Sequence, residues 1–293
     1  MKNQTIGLEI EMTGVTRETA AQVIAEHFGT TAVYEGGAYN AYNVKDNTNR
    51  VWKLMSDASI RAEIKRGVAT DNHKVELVSP ICKYEDIETV QEIIRKLRGA
   101  GAFVNDSCGI HIHIGLGDHT PKTLRNLANI VSSKEDLIYK SLQVGQNRSR
   151  FCKKADENFI ADINSKKPTT MVQLADIWYD RYPRESRDAH YNSSRYHLLN
   201  YHSVFTKGTI EFRAFNATLH AGKIKTYIQF CLAISHQALI QKSASTKKTQ
   251  STNEKYTYRT WLLRLGLIGN EFTTARQHLL ASLDGNIAWR NAA

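Results

Sequence analysis

Three short segments of the chain alternate charged and apolar residues. They are Ile6–Met12, Cys108–Gly115 and Gly208–Phe215, and each carries two charged or titratable side chains two positions apart. Because side chains at i and i+2 of a β-strand point to the same face, each segment would place its polar pair opposite its apolar residues. Three such strands in one sheet predict a highly charged face above an apolar core. Enclosing that face is costly unless metal ions or phosphates offset its charge.

The order of the predicted elements favours an α+β fold. Helices are predicted at Thr16–Phe28, Asp86–Leu97, Pro121–Leu142 and Ala221–Gln241, and strands at Ile6–Met12, Val51–Leu54, Lys74–Val78, Tyr196–Phe205 and Thr209–Phe215. The last two strands are expected to pair through the turn Lys207-Gly208, and Asp86 is expected to cap its helix. Strands and helices do not alternate strictly, which predicts a mainly antiparallel sheet with helices packed on its other face.

The length of 293 residues suits one large domain. We expect a single domain over residues 1–293, with a variable insertion at about 147–190. The Ser/Thr/Lys stretch at about 243–254 has no core residues and predicts a mobile loop. Two closing helices are expected within residues 259–290.

Apolar runs, cysteine spacing and net charge limit the classes of protein to which the chain can belong. No apolar run approaches 18 residues, so no transmembrane helix or membrane partner is expected, and the N-terminal residues lead straight into a strand, which leaves no room for a signal peptide. Four scattered cysteines form no C-x-x-C pair, so we expect free buried thiols in a cytoplasmic protein. The net charge of +10 suits an anionic ligand such as a nucleotide, a nucleic acid or an acidic small molecule.

Glutamates on predicted strands are the candidate metal ligands. Glu9 and Glu11 share one face of the first strand, Glu76 lies on another strand, and Glu211 lies in the third alternating segment. Carboxylate oxygens suit Mg²⁺, which also binds substrate phosphates, and an imidazole nitrogen would admit Mn²⁺ as well. The alternative is that each glutamate is an ordinary surface acid on a half-exposed strand.

His111 and His113 form an H-x-H pattern, which is typical of zinc ligands on a strand. No H-E-x-x-H motif and no suitably spaced Cys/His partner accompanies them, so two histidines packed beside a sheet are an equal alternative. The flanking Gly109 and Gly115 indicate close backbone approach at both ends of the segment.

Two arginines and one aspartate are further candidates. Arg213 shares a strand face with Glu211. The two either form a simple ion pair, or Glu211 binds a metal while Arg213 binds phosphate oxygens. Arg195 is a candidate anion-binding residue or a rim arginine. Asp57 either makes a turn in Asp-Ala-Ser-Ile or lies beside a substrate amine or a metal. Neither a P-loop nor a Rossmann glycine motif is present.

Taken in order, these motifs resemble the amidoligase family, which comprises carboxylate–amine ligases related to glutamine synthetase and glutamate–cysteine ligase. The landmarks are Gly7–Glu11, Trp52 with Asp57-Ala-Ser, Glu76–Pro80, Cys108–Gly115, Arg195–Asn200 and Gly208–Arg213, within a resemblance that extends to about Trp289. The resemblance implies a glutamine-synthetase-like catalytic fold, in which a curved antiparallel sheet binds ATP with metals between the sheet and the phosphates. One departure is Ala58, where the family often has glycine.

The resemblance also implies a role for each matched residue. Glu9, Glu11, Glu76 and Glu211 match the metal-binding acids, and His113, or else His111, matches the histidine near the metal-bound phosphates. Arg213 matches the arginine that steadies the transferred phosphoryl group. Asp57 is the expected proton acceptor for the amine, and Arg195 is a further expected catalytic and ATP-binding residue.

The implied activity is an ATP- and Mg²⁺-dependent ligase that joins a carboxylate substrate to an amine substrate. Two other classes stay open at this point. A metal-dependent nuclease or phosphohydrolase could use the same acids together with Glu63-Ile64-Lys65. A non-catalytic, basic nucleic-acid-binding protein on a ligase-like fold would be expected to lack some of the charged strand residues, and none of them is missing.

Overall fold

The structure is a computed structural model that describes residues 1–288, except for the side chains of residues 146 and 147. These residues form two compact units. The first unit comprises Lys2–His113 and Phe215–Lys225. The second comprises mainly Ile114–Ala214 and the residues from Thr226 onward.

The first unit contains a sheet and two principal helices. Its elements are β1 (Ile6–Met12), α1 (Arg17–Phe28), β2 (Ala32–Gly36), β3 (Ala41–Lys45), β4 (Val51–Met55), β5 (Val75–Val78), α2 (Ile87–Gly99) and most of β6 (Gly109–Gly115). The strand order within this unit is β2-β3-β4-β5-β1-β6. Strand β1 pairs with β5 in an antiparallel register that places Glu11 opposite Glu76 and Glu9 opposite Val78.

Helix α1 follows from its terminal residues and its apolar face. The Thr16 hydroxyl accepts a hydrogen bond from the backbone N–H of Thr19, and Gly29 ends the helix in the left-handed conformation at φ 65°. Ala20, Ala21 and Ile24 are fully buried, and the helix packs on β2, β3, β4 and α2. One face of the sheet in this unit is therefore covered by helix.

The second unit is mainly helical. Its elements are α3 (Pro121–Leu142), α4 (Gln146–Ser149), α5 (Glu157–Lys166), α6 (Met171–Tyr179), β7 (Leu199–Asn200), α7 (His202–Thr206), most of β8 (Thr209–Asn216), most of α8 (Ala221–Ile240), α9 (Glu254–Arg264) and α10 (Thr273–Leu280). Strand β7 pairs antiparallel with β8, with Asn200 opposite Glu211. The chain passes between the units within β6, β8 and α8.

These elements confirm the α+β class with an antiparallel sheet, and the sheet is not strongly curled, unlike the curved sheet that the resemblance implies. The bounds predicted for β1 and α3 agree with the structure, and Thr120 caps α3 directly before Pro121. The residues from 289 onward, including Trp289 and the last part of the predicted closing helices, lie outside the described residues.

Two local predictions are wrong. The predicted strand Tyr196–Phe205 is only two residues of strand followed by the helix α7, because the chain turns directly after Asn200. The Asn200 side-chain oxygen accepts a hydrogen bond from the His202 N–H at 2.8 Å, which holds that turn. Asp86 does not cap α2, since its carboxylate binds Arg50 at 2.8 Å and the Lys83 N–H at 2.7 Å.

All four cysteines are free and buried, as expected from their spacing. Among the described residues, no helix is long and apolar enough to cross a membrane. The single domain and the mobile loop stay predictions. The residues between α8 and α9 have no helix or strand, yet Lys248 in that segment forms an ion pair with the buried Glu135.

Candidate active site

The alternating segments form strands whose apolar and polar faces are both covered. On β1 the apolar residues Leu8, Ile10 and Met12 are 2% exposed or less, and Glu11 on the opposite face is only 3% exposed. On β6 the isoleucines are fully buried, and His111 and His113 are 5% and 6% exposed. The sequence predicted a polar face, and the structure shows that this face is buried. Its charges therefore interact in a medium that screens them weakly.

Glu9 lies between the two histidines of β6. Its Oε2 is 2.9 Å from Nδ1 of His111, and its Oε1 is 3.2 Å from Nε2 of His113. Burial alone would raise the pKa of the Glu9 carboxyl, but the charge of His113 and hydrogen bonds with both imidazoles hold that pKa well below its usual range. Glu9 is therefore a carboxylate in the folded protein, and both histidines are oriented by it.

Gly7 explains how His113 comes so close to β1. A Cβ atom at position 7 would lie 3.3 Å from the His113 Cβ, which is closer than most side-chain contacts. The glycine therefore leaves the room that the imidazole occupies. This contact, together with the Glu9–His111 contact and the bond from the Gly109 N–H to Glu11 at 2.6 Å, follows one antiparallel register between the two strands.

A second group gathers three carboxylates. Glu11 and Glu76 face each other across β1 and β5, and Asp57 follows β4, the strand that pairs with the other edge of β5. Each of the three offers an oxygen within 4.8 Å of the other two. The Asp57 Oδ1 also accepts 2.6 Å hydrogen bonds from the N–H and hydroxyl of Ser59, so the predicted turn is formed and fixes the aspartate.

The donor set fits a hard divalent cation. Like charges on directly opposed strand positions destabilise a sheet, and a bound cation would offset the charge of neighbouring carboxylates. Glu9, Glu76 and His111 form a further group with donor atoms within 4.8 Å. Carboxylate oxygens are the ligands that Mg²⁺ prefers, and the imidazole also accommodates Mn²⁺. Glu76 is common to these two groups.

Glu211 and Arg213 of β8 form a buried pair in the second unit. The Arg213 guanidinium donates to the Glu211 carboxylate, and the two side chains are 5% and 3% exposed. The second oxygen of Glu211 accepts a hydrogen bond from the Asn200 side chain at 2.7 Å. A buried pair of this kind is strongly destabilised when one partner is removed, because the other charge is left behind.

Arg195 and Arg213 approach the same aromatic ring. Their guanidinium carbons lie 5.9 and 6.0 Å from the centroid of Tyr196. Arg195 also donates to the backbone oxygen of His190 at 2.8 Å. Burial, followed by the charge of Arg195, lowers the pKa of His202. The structure thus brings both predicted arginines to one tyrosine ring, and planar guanidinium groups suit anions with several oxygens.

Sequence reasoning missed two residues of this region. Asn200 fixes the Glu211 carboxylate, and Arg148 donates to the backbone oxygen of Arg213 at 2.9 Å while being only 6% exposed. Asn200 stood inside a recognised motif and could have been singled out as a polar residue ending an apolar run. Arg148 lies in a polar stretch without periodicity, so no local signal distinguished it.

Glu63, one of the acids that the nuclease alternative would use, binds residues outside the carboxylate groups described above. Its carboxylate binds Arg61 at 2.7 Å, and its backbone is fixed by hydrogen bonds with the Thr13 hydroxyl at 2.8 Å. It belongs to none of the metal-binding groups found among the described residues.

The comparison with known families agrees with this geometry. A family model described as "Putative amidoligase enzyme" matches residues 2–235, which include every site residue discussed above. No curated protein matches the chain.

Proposed function

The chain belongs to the amidoligase family, and on that premise we propose that it is an ATP-dependent carboxylate–amine ligase. The observation that supports the proposal most directly is the group of three carboxylates, Glu11, Asp57 and Glu76, within 4.8 Å of one another on one sheet. A family that uses ATP needs such acids to hold divalent ions against phosphates. The product would be an amide or a peptide-like bond.

The chemistry requires activation of the carboxylate. A carboxylate is a poor electrophile because its leaving group would be oxide. Transfer of the γ-phosphoryl group of ATP to a carboxylate oxygen gives an acyl phosphate and ADP. The amine nitrogen then attacks the acyl carbon, the C–O bond to phosphate breaks, and inorganic phosphate leaves with a proton lost from the nitrogen.

The acidic residues are proposed to hold the metal, with Glu9, Glu11, Glu76 and Glu211 as carboxylate ligands and His113 or His111 beside them. Bound Mg²⁺ or Mn²⁺ would neutralise charge on the phosphate oxygens. Glu9 orients both imidazoles through its two oxygens, so its own ionised state fixes which nitrogen each ring presents.

The arginines are proposed to bind the transferred group. Arg213 would fork onto phosphoryl oxygens, and its exchange from Glu211 to the phosphate would leave that carboxylate available to a cation. Arg195, against the same Tyr196 ring, is proposed to bind ATP or the acyl phosphate.

Asp57 is proposed to serve one of two roles. The first is to accept the proton that the attacking amine loses. Its place beside Glu11 and Glu76 favours the second, which is to act as a third carboxylate ligand of the ion. Asp57→Asn separates them, because loss of metal affinity indicates a ligand whereas loss of amine reactivity alone indicates a base.

Hydroxylamine offers a test that does not require the natural amine. The protein is incubated with ATP, Mg²⁺ and each of a panel of carboxylates, and hydroxylamine traps any acyl phosphate as a hydroxamate. We expect ADP and hydroxamate in equal amounts with at least one carboxylate, and neither product when Mg²⁺ is removed. Glu11→Gln should lower the rate by about 100-fold or more.

The same reactions distinguish the competing functions. Cleavage of a nucleic acid or phosphodiester by Glu11-dependent chemistry without ATP would replace the ligase by a metal-dependent hydrolase. Nucleic-acid binding with no ATP turnover and no effect of Glu11→Gln would favour a binding protein on the ligase fold.

A further inference from the structure

A polar, basic cavity lies within the second unit, and all but three of the residues that line it come after residue 235. It has a volume of about 930 Å³, within the range of small-molecule sites. Helices α3, α8 and α9 form its walls together with residues 241–253, which we call the strap. The family model ends at residue 235, so most of the lining lies outside the matched residues.

Three basic side chains line the cavity, namely Lys134 of α3, Lys247 of the strap and Arg264 of α9. No acidic residue is among the lining residues, and none of the described acidic side chains forms an ion pair with these three. Burial, followed by the charge of Arg264, lowers the pKa of the half-buried Lys134 ammonium. Lys134 and Arg264 both line this cavity, so a compact dianion bound in it would be attracted by two cations.

The other lining residues are mostly hydroxyls and amides. They include Ser245, Thr252, Thr260, Gln237 and Gln250, with Tyr256 and Trp261 as the aromatic members. Hydroxyl and amide groups recognise neutral hydroxyls, whereas an extended apolar ligand would find little complementary surface. The lining therefore suits a ligand that carries both charge and hydroxyl groups.

The strap is held in place by bonds to α3, so the cavity is preformed. The Lys248 ammonium binds the buried Glu135 carboxylate and the Ser132 backbone oxygen, and the Thr249 N–H donates to the Ser133 oxygen at 2.9 Å. Lys134 itself donates to the Thr249 hydroxyl at 2.5 Å. A rim fixed in this way costs little entropy to order when a ligand binds.

We propose that this cavity binds a small hydroxyl-bearing phosphate ester of the phosphorylated-sugar class, with Lys134 and Arg264 as the phosphate-binding residues. A phosphate monoester carries a charge of about −1.5 to −2 at pH 7, which matches two neighbouring cations better than a single carboxylate does. Lys247, exposed at the rim, supplies a third positive charge.

The probe is ribose 5-phosphate, titrated calorimetrically into the full chain, with ribose as the uncharged comparison. We expect saturable binding of ribose 5-phosphate at least about tenfold tighter than that of ribose. Lys134→Gln and Arg264→Gln should each weaken it by about tenfold or more. Lys122→Gln, an exposed lysine on the same helix α3, and Arg259→Gln on α9 are the matched controls and should leave affinity unchanged.

Hydrogen exchange locates the probe. Ribose 5-phosphate should slow amide exchange in residues 241–253, because it would bridge the strap to α3 and α9. Because Arg264 is exposed, Arg264→Gln should fold normally, and any loss of binding by this variant can be attributed to the lost guanidinium group. The proposal is overturned if no saturable binding occurs, if the control variants weaken it equally, or if Glu11→Gln rather than Lys134→Gln abolishes it, which would place the probe at the ATP site.

Discussion

The first unit contains two groups of buried acids that are built in opposite ways. In one, Asp46 and Asp86 share Arg50, which binds them at 2.9 and 2.8 Å, and Asp46 also accepts hydrogen bonds from the backbone and hydroxyl of Thr48. In the other, Glu11, Asp57 and Glu76 gather within 4.8 Å of one another. Arg50 binds both acids of the first group, whereas the second group brings the oxygens of three carboxylates close together.

The difference indicates what each group is for. Acids bonded to an arginine and to backbone N–H groups stabilise the fold, because neutralising them leaves buried donors without acceptors. Three carboxylate oxygens within a few ångströms of one another offer a divalent cation a set of ligands, so we expect the second group to serve metal binding. Substitutions in the first group should therefore lower the stability of the protein and leave its activity unchanged. Substitutions in the second group should lower the activity and leave the stability nearly unchanged.

The largest effect is expected from Glu76→Gln, which removes an acid shared by two candidate metal groups. We expect the rate of ATP-dependent hydroxamate formation to fall by about 100-fold or more, since a stabiliser of developing charge is lost. The melting temperature should change little, because glutamine keeps the volume and one acceptor oxygen of the glutamate side chain. Steady-state kinetics and thermal unfolding of one preparation measure both quantities.

Glu35→Gln is the matched control for Glu76→Gln. Glu35 is also a strand acid, but it lies on β2 and forms an exposed ion pair with Lys53 at 3.0 Å. Its substitution should change neither the rate nor the unfolding transition. A Glu76→Gln protein with full activity, or one that is unfolded, would contradict the contrast between the two groups of acids.

Asp46→Asn tests the other group. The amide nitrogen cannot accept hydrogen bonds from Arg50 and from the Trp52 indole N–H, which lies 3.3 Å from Asp46 Oδ2. We expect the free energy of unfolding to fall by about 2–4 kcal/mol. Denaturant unfolding measures the loss, and the activity of the remaining folded protein should be unchanged. Loss of activity without loss of stability would contradict the assignment of Asp46 to the group that stabilises the fold.

Acid should weaken the Asp46–Arg50–Asp86 group. Hydrogen bonds from Arg50 lower the pKa of Asp86, and those from Thr48, Arg50 and Trp52 lower the pKa of Asp46 despite its burial. A folded pKa below the unfolded value of about 3.9 means that the stabilisation is complete above that pH and is lost as the pH falls through the folded pKa.

Asp86→Asn measures this contribution. The variant should be less stable than the unsubstituted protein by about 1–2 kcal/mol at pH 7, and the difference should shrink steadily below about pH 4. Denaturant titrations at several pH values follow it. A difference that stays constant down to pH 2 would show that the aspartate stabilises the fold by shape rather than by charge.

The smallest effect is expected from Gly7→Ala. The added methyl would meet the His113 Cβ at 3.3 Å, so His113, which contacts Glu9, must shift by a few tenths of an ångström. We expect a several-fold loss of activity and about 1 kcal/mol of stability. Gly99→Ala is the control, since nothing lies within 4 Å of its Cβ position, and it should be neutral or slightly stabilising.

The sequence predicted most of the elements that carry the candidate site. The alternation of residues in Ile6–Met12 predicted the bounds of β1, and Thr120 followed by Pro121 predicted the start of α3. Both predictions are confirmed because alternation and helix capping depend only on neighbouring residues. The strand predicted at Tyr196–Phe205 failed because the Asn200 side chain accepts a hydrogen bond from the His202 N–H, which turns the chain there, and apolar periodicity does not register such a bond. Asp86 failed as a cap because Arg50, distant in sequence, competes for its carboxylate.

The sequence by itself determined which charged residues share a strand face, because alternate residues of a β-strand point to the same side. It could not determine that Glu76 lies opposite Glu11, that Asp57 lies close to both, or that Lys134 and Arg264 line one cavity. Those are relations between segments far apart in the chain. Strand register and helix packing decide them, since only the folded chain brings such side chains within the few ångströms over which buried charges act strongly.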